Sequence, residues 1–191
     1  MLFQIQLIRP KTFTRSVHDF GLLIFLTIGL VTTSLWAHAE PSSQTVDRIK
    51  AAYVYNFAKF VDLSSSDEKT LRLCVVGKDD LNGALQALQH RMAQGREVVV
   101  RKEVPIDQIK DCTMVFVGES DAKLLPLAVR QLGTSGVLVI SDARQAVDHG
   151  AHLALVFSED RVEFDVNLQQ LQKSGIKASS QMLKLARTVV R

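Results

Sequence analysis

The chain has 191 residues, 47% hydrophobic and 23% charged, the balance of a globular protein able to bury a core of its own. Its net charge of +3 gathers at the start, where Arg9, Lys11 and Arg15 face only Asp19, leaving 20 basic and 19 acidic residues after residue 39. A remainder at +1 has no basic field to draw in a phosphate backbone, which argues against nucleic-acid binding.

Residues 1–39 read as an export signal. A basic start precedes an apolar stretch over residues 20–36, and Ala37-His38-Ala39 then supplies a small-x-small cleavage site before Glu40. The competing reading is a retained anchor, because 17 residues lie near the lower limit for spanning; Thr32, Thr33 and Ser34 weaken that second half. Cleavage is the expectation. Residues 40–45 form a polar, Pro- and Ser-containing leader predicted to be mobile, and a single domain is expected over 46–191.

A helix follows. At 100° per residue Val46, Ile49, Tyr53, Phe57, Phe60 and Val61 share one apolar arc. A second seam, Ala51, Tyr55 and Ala58, is flanked by Arg48 and Lys59 and predicts a helix covered on two sides. Three serines and Asp67 then mark a loop. The apolar run LRLCVV over 71–76 predicts a strand buried on both faces of a parallel sheet. Asp79 or Asp80 is placed to cap a helix carrying Leu81, Leu85 and Leu88. Residues 97–101 and 113–117 read as further strands. A helix is predicted over 120–133, with Pro126 forcing a kink or a late start.

Residues 137–140 make another short apolar strand. Residues 151–157 and 161–167 flank Ser158-Glu159-Asp160, and the second of these alternates strictly, which predicts an antiparallel hairpin at the sheet edge. Asn167 caps a short helix stopped by Gly175. Ser179 or Ser180 opens the last helix, with Met182, Leu185, Ala186 and Val189 on one face. The fold class expected is α/β: a layered, mostly parallel sheet, a Rossmann-like half, with helices on both faces and an antiparallel edge hairpin.

Motifs for chemistry are thin. His149 and His152 sit three apart beside Asp148, but no further ligands stand at a recognisable spacing, so turn residues are a better reading than a metal site. Gly77-Lys78-Asp79 follows a strand yet lacks the glycines of a phosphate loop, and no GxSxG is present. A small ligand at the strand ends, near Gly77, Gly118, Ser141 and Asp142, is the remaining place for one. No cofactor, metal or catalytic residue is expected.

The run KAAYVYNFAKFV over residues 50–61 resembles the N-terminal signature of YfiR-type periplasmic proteins, with Asp62-Leu63 where a Trp-Pro pair is usual. The blocks LRLCVVG, VFVG behind Cys112, VISD, VEFDVNL and IKASSQMLKLA are similar to later family blocks in the same order. The resemblance implies a periplasmic, non-enzymatic regulator that binds the periplasmic sensory domain of an inner-membrane diguanylate cyclase and lowers cyclic-di-GMP. It also implies an outer-membrane lipoprotein able to sequester the regulator. Cys74 and Cys112 are the only cysteines; an even count in an exported chain suggests a disulfide, and the family carries one at matching positions. Such a bridge would contribute roughly 4 kcal/mol, the alternative being two buried thiols. No motif identifies the contact residues. Tyr55 and Lys59 are the candidates, an aromatic beside a cation on the helix's second seam, and they equally suit packing on the C-terminal helix. Homodimerisation through the aromatic helix is a further expectation. The alternative function is a periplasmic small-molecule sensor, or an accessory module for another membrane signalling protein.

Overall fold

The computed structural model describes residues 41–63, 69–79 and 81–191. The export segment expected over 1–39, Glu40, the serine loop expected over 64–67 and Asp80 lie outside them. The leader expected over 40–45 is cut short. Ser42 accepts a hydrogen bond from the Thr45 N–H and caps helix α1, Ser43–Phe60. The buried face of α1 is Val46, Ala51, Val54, Phe57 and Ala58, centred on the fully buried Val54. The predicted arc is therefore rotated: Ile49 and Phe60 are 40% and 41% exposed. The small Ala51 and Ala58, read as a second seam, let the helix lie close to the sheet, so Val54 between them is the contact point.

At its C-terminus α1 runs straight into β1, Val61–Asp62. The orphan carbonyls of Ala58 and Val61 accept from the Gln94 amide, and that of Phe60 from the Ser179 N–H. The strand β2, Thr70–Val76, is followed by a 3-10 turn over Ala84–Leu88 in place of the predicted helix. Leu81 and Asn82 have φ of 57° and 51°, which forbids a helical start there; Leu81, Leu85 and Leu88 are nonetheless buried. Next come β3 (Met92–Ala93), β4 (Arg96–Arg101), a 3-10 turn over Ile106–Asp111, and β5 (Met114–Val117). A 3-10 stretch, Glu119–Leu124, leads to α2, Leu125–Leu132, with Pro126 in its first turn, the late start that the proline predicted. The strands β6 (Leu138–Ser141), β7 (Leu153–Ser158) and β8 (Arg161–Asn167) precede α3 (Leu168–Lys173), capped by Asn167. The chain closes with β9 (Lys177–Ala178), α4 (Ser180–Leu185) and β10 (Thr188–Val190).

Eight strands form one sheet in the order β10-β8-β7-β6-β5-β2-β4-β3, and β1 pairs with β9 in a small antiparallel sheet. Neighbours in the large sheet are parallel except for β7/β8 and β3/β4. The architecture is thus the layered, mostly parallel α/β class, with one amendment. The β7–β8 hairpin is not the sheet edge, because the last helix stops at Leu185 and β10 pairs in parallel with β8. Leu185, expected on a buried helix face, is 77% exposed.

The sheet separates two cores. Leu71, Leu73 and Val75 of β2 point toward α1, where Phe57 and Phe164 pack edge to face at 5.2 Å between ring centroids. Cys74 and Val76 point the other way, to Ile109 and to Leu125, Ala128 and Leu132 of α2. Burial on both faces is why these strands are continuous apolar runs. In the second core Cys74 of β2 and Cys112, at the end of the 3-10 turn that leads into the adjacent β5, are joined with Cα atoms 6.0 Å apart.

Candidate functional site

The natural ligand crevice of such a sheet lies where connections from adjacent strands leave in opposite directions, here at the carboxyl ends of β2 and β5. The chain fills it with its own carboxylates. Asp121 accepts from the N–H groups of Lys78 and Asp79 at 2.8 and 3.0 Å, and Asp79 accepts from Ser120 and Leu81. Gly77 and Gly118 permit this clasp, since a Cβ on either would sit 2.3 Å from the Asp121 or Asp79 carboxyl carbon. The donors that would cradle an anion are therefore engaged. Asp79, predicted as a helix cap, instead ties two loops together. A ligand near Gly77 and Gly118 would have to displace an internal carboxylate.

One strand further, Ser141 donates to the Val117 carbonyl at 2.7 Å and accepts from the Ala143 N–H at 3.1 Å. The adjoining Asp142 is buried, receives the Glu119 N–H at 2.8 Å, and pairs with Lys50 of α1 at 2.5 Å. Burial raises the Asp142 pKa above the usual carboxylate value, and Lys50 works against the rise. The pair joins the first half of α1 to the end of β6. Beside it opens a cleft of about 1040 Å³, bounded by the start of α1, the loop after β6 and residues 154–157 of β7. At its far wall Arg187 clamps Asp165 with two hydrogen bonds, of 2.9 and 2.5 Å.

Tyr55 and Lys59 lie on the opposite flank of α1. The Tyr55 hydroxyl donates to the Met92 carbonyl at 2.7 Å, so this seam packs on the β3 turn and not on the C-terminal helix. Lys59 Nζ stands over the Tyr55 ring at 5.6 Å and the Arg91 guanidinium at 5.3 Å. Arg91 belongs with them, and no sequence pattern marked it, because the turn that delivers it is set by pairing of β3 with β4. Lys59, Phe60 and Met92 are exposed beside the ring. A second copy docking on the aromatic helix would meet Phe60 and Leu185, since Phe57 is buried and Tyr53 packs on Phe57 and Phe164.

His149 and His152 do not converge. His149 is exposed, whereas His152 is a core residue and not the turn residue expected. Its Nδ1 accepts from the Val139 N–H at 2.9 Å, and its Nε2 lies 2.9 Å from the Ser174 hydroxyl. Both ring nitrogens are thus committed, and burial lowers the pKa to about 4 against an opposing bond to the Gln170 backbone. Among the described residues no cluster of three metal-ligating side chains occurs, and no helix is long and apolar enough to cross a membrane.

The family model described as YfiR/HmsC-like matches residues 47–187. Among solved structures, a conserved domain protein from Vibrio cholerae is 12% identical with a TM-score of 0.56, covering 73% of this chain and 59% of that one. A second, an ABC domain from Streptococcus pneumonia in complex with L-Trp, is 16% identical over 79% of this chain and 62% of that one. Its TM-score is 0.48, too low to carry any argument. The chain thus spans less than two thirds of either structure, and the first likeness concerns fold alone.

Proposed function

The chain belongs to the YfiR/HmsC-like family, and from that membership we propose that it is a periplasmic, non-enzymatic repressor of an inner-membrane diguanylate cyclase. It binds the cyclase's periplasmic sensory domain and holds cyclic-di-GMP synthesis down. The observation that carries the reading is the match over residues 47–187, all but the ends of the described fold. The buried ionisable groups support it: Asp142, His152 and Asp165 are each bonded within the chain and hold the fold together. The inhibitory contact is assigned to the flank of Tyr55 and Lys59, with Arg91. An aromatic ring with two cations against it is the residue chemistry of interface anchors.

The test is cellular cyclic-di-GMP in strains with the gene intact, deleted, or carrying Lys59→Glu. Deletion is expected to raise the nucleotide. Lys59→Glu, an exposed reversal that leaves the core untouched, is expected to reproduce much of that rise at unchanged protein level. An unchanged nucleotide on deletion overturns the repressor reading. A rise on deletion with none from Lys59→Glu overturns only the assignment of the contact.

A further inference from the structure

The cleft beside Lys50 and Asp142 owes its shape to a mismatch in strand length. The β6–β7 ladder ends at Ser141↔Ala154, whereas β7 continues to Ser158. Ser141 causes the divergence, because its hydroxyl captures the Ala143 N–H and turns the chain away from β7. Residues 155–158, about 13 Å of strand, therefore run on with β8 on one side and no strand on the other among the described residues.

The phase of the ladder says which backbone groups face that gap. Arg187 N–H donates to the Phe164 carbonyl from the β10 side, and Asn167 N–H donates to the carbonyl of His152, just before β7. Glu163 and Asp165 consequently direct their backbone groups to Val156 and Ala154, leaving those of Leu155 and Phe157 directed away from β8. The Leu155 N–H completes the β6–β7 ladder at Ser141, so the groups facing the gap are the Leu155 carbonyl and the Phe157 N–H and carbonyl. Residues 154, 155, 156 and 157 all line the cleft. Consecutive strand side chains alternate between faces, so four in a row line one cleft only through the strand's edge.

We propose that this cleft is a strand-addition site that accepts an extended, Lys- or Arg-bearing segment of a partner protein, hydrogen-bonded to the Leu155 carbonyl and to the Phe157 N–H and carbonyl. The charge of the walls selects the segment. Lys50–Asp142, Arg187–Asp165 and Arg144–Glu119 are internally paired. Among the described residues Asp47, whose carboxylate accepts from the neutral Asn82 amide, and the exposed Asp148 have no cation beside them, so the lined cleft is acidic. The half-exposed Phe157 offers an apolar anchor at the mouth. The opposite end of the sheet shows what a protected edge looks like: the Val100 N–H is capped by the Gln89 side chain at 2.6 Å. This inference rests on the partner-binding reading above but concerns a different surface from Tyr55 and Lys59.

The experiment uses the purified exported chain, with amide exchange followed residue by residue and the blocked peptide Val-Lys-Val-Lys-Val as probe. The Phe157 amide is expected to exchange quickly in the free protein and at least about tenfold more slowly with the peptide at saturation. The same peptide with glutamates, or with alternate amides N-methylated, is expected to give no such protection. Asp148→Lys, an exposed change, is expected to weaken the lysine peptide about tenfold. Equal protection by the glutamate or N-methylated peptide overturns the proposal, as does no protection by the lysine peptide. A Phe157 amide already protected in the free protein overturns it too, since the edge is then covered by the chain itself or by a second copy. Protection by the peptide in a protein whose deletion leaves cyclic-di-GMP unchanged retires the repressor reading and keeps the cleft; the converse retires the cleft alone.

Discussion

At the scale of single residues, two buried groups make stability depend on charge. His152 is held neutral by its burial, with Nδ1 accepting the Val139 N–H. Its folded pKa of about 4 lies below the free value of 6.5, so the unfolded chain takes up the proton first. Its stabilising contribution is complete above 6.5 and is lost as pH falls toward 4, by up to about 3 kcal/mol. Urea unfolding across that range is expected to show the decline, and His152→Gln is expected to flatten it at a lower plateau. The Lys50–Asp142 pair behaves differently, since burial already disfavours the ionised carboxylate. Lys50→Met leaves that carboxylate without its cation and is expected to cost about 3 kcal/mol at neutral pH. Adding Asp142→Asn is expected to recover most of the loss, which a double-mutant cycle by chemical denaturation measures directly. A cycle with no coupling would mean the pair contributes nothing to the join between α1 and β6.

At the level of elements, the departures of the structure from the local pattern share a cause. Helical spacing carried the last helix through Val189, yet Ala186 is extended and Thr188-Val189-Val190 adds to the sheet. Three consecutive β-branched residues were the signal for a strand; what recruits them is the Arg187–Asp165 clamp and the waiting edge of β8. The aromatic residues of α1 mark one arc, while close approach to the sheet favours the small Ala51 and Ala58 and turns that arc partly outward. The Asp79–Asp121 clasp was likewise illegible, since its partners are 42 residues apart and meet only when β2 and β5 pair. Gly77→Ala tests the clasp. With φ at 83° and Asp121 in the way, it is expected to cost about 2 kcal/mol in urea unfolding. A change within a few tenths of wild type would show the loops to be loosely held.

At the scale of the molecule, one sheet with a core on each face is pinned near its centre by Cys74–Cys112. The bridge closes a loop with a sequence separation of 38, which the chain-entropy model converts to roughly 4 kcal/mol. Cys74→Ser is expected to lower stability by about that amount, and dithiothreitol to do the same to the wild type, both read by thermal or urea melts. In the cell, the variant is expected to raise cyclic-di-GMP by lowering the folded population, in contrast to Lys59→Glu, which acts on the surface alone. Indifference of the melt to reduction would show that the two cores hold the sheet without the bridge.

The central strands β2, β5 and β6 are legible in the sequence alone, because burial on both faces demands uninterrupted apolar runs, and so are the cap at Asn167 and the choice of Ser179 or Ser180 as the next one, since caps are local hydrogen bonds. The ordered blocks from residue 50 onward carried the family as well. Only the tertiary structure decided which face of α1 is buried, that β10 covers the hairpin, that Arg91 joins Tyr55, and that β7 outruns β6 to leave an acidic cleft. Each of these depends on residues distant in the chain meeting across the sheet. A pattern confined to one segment records what that segment must bury, and not what it will be buried against.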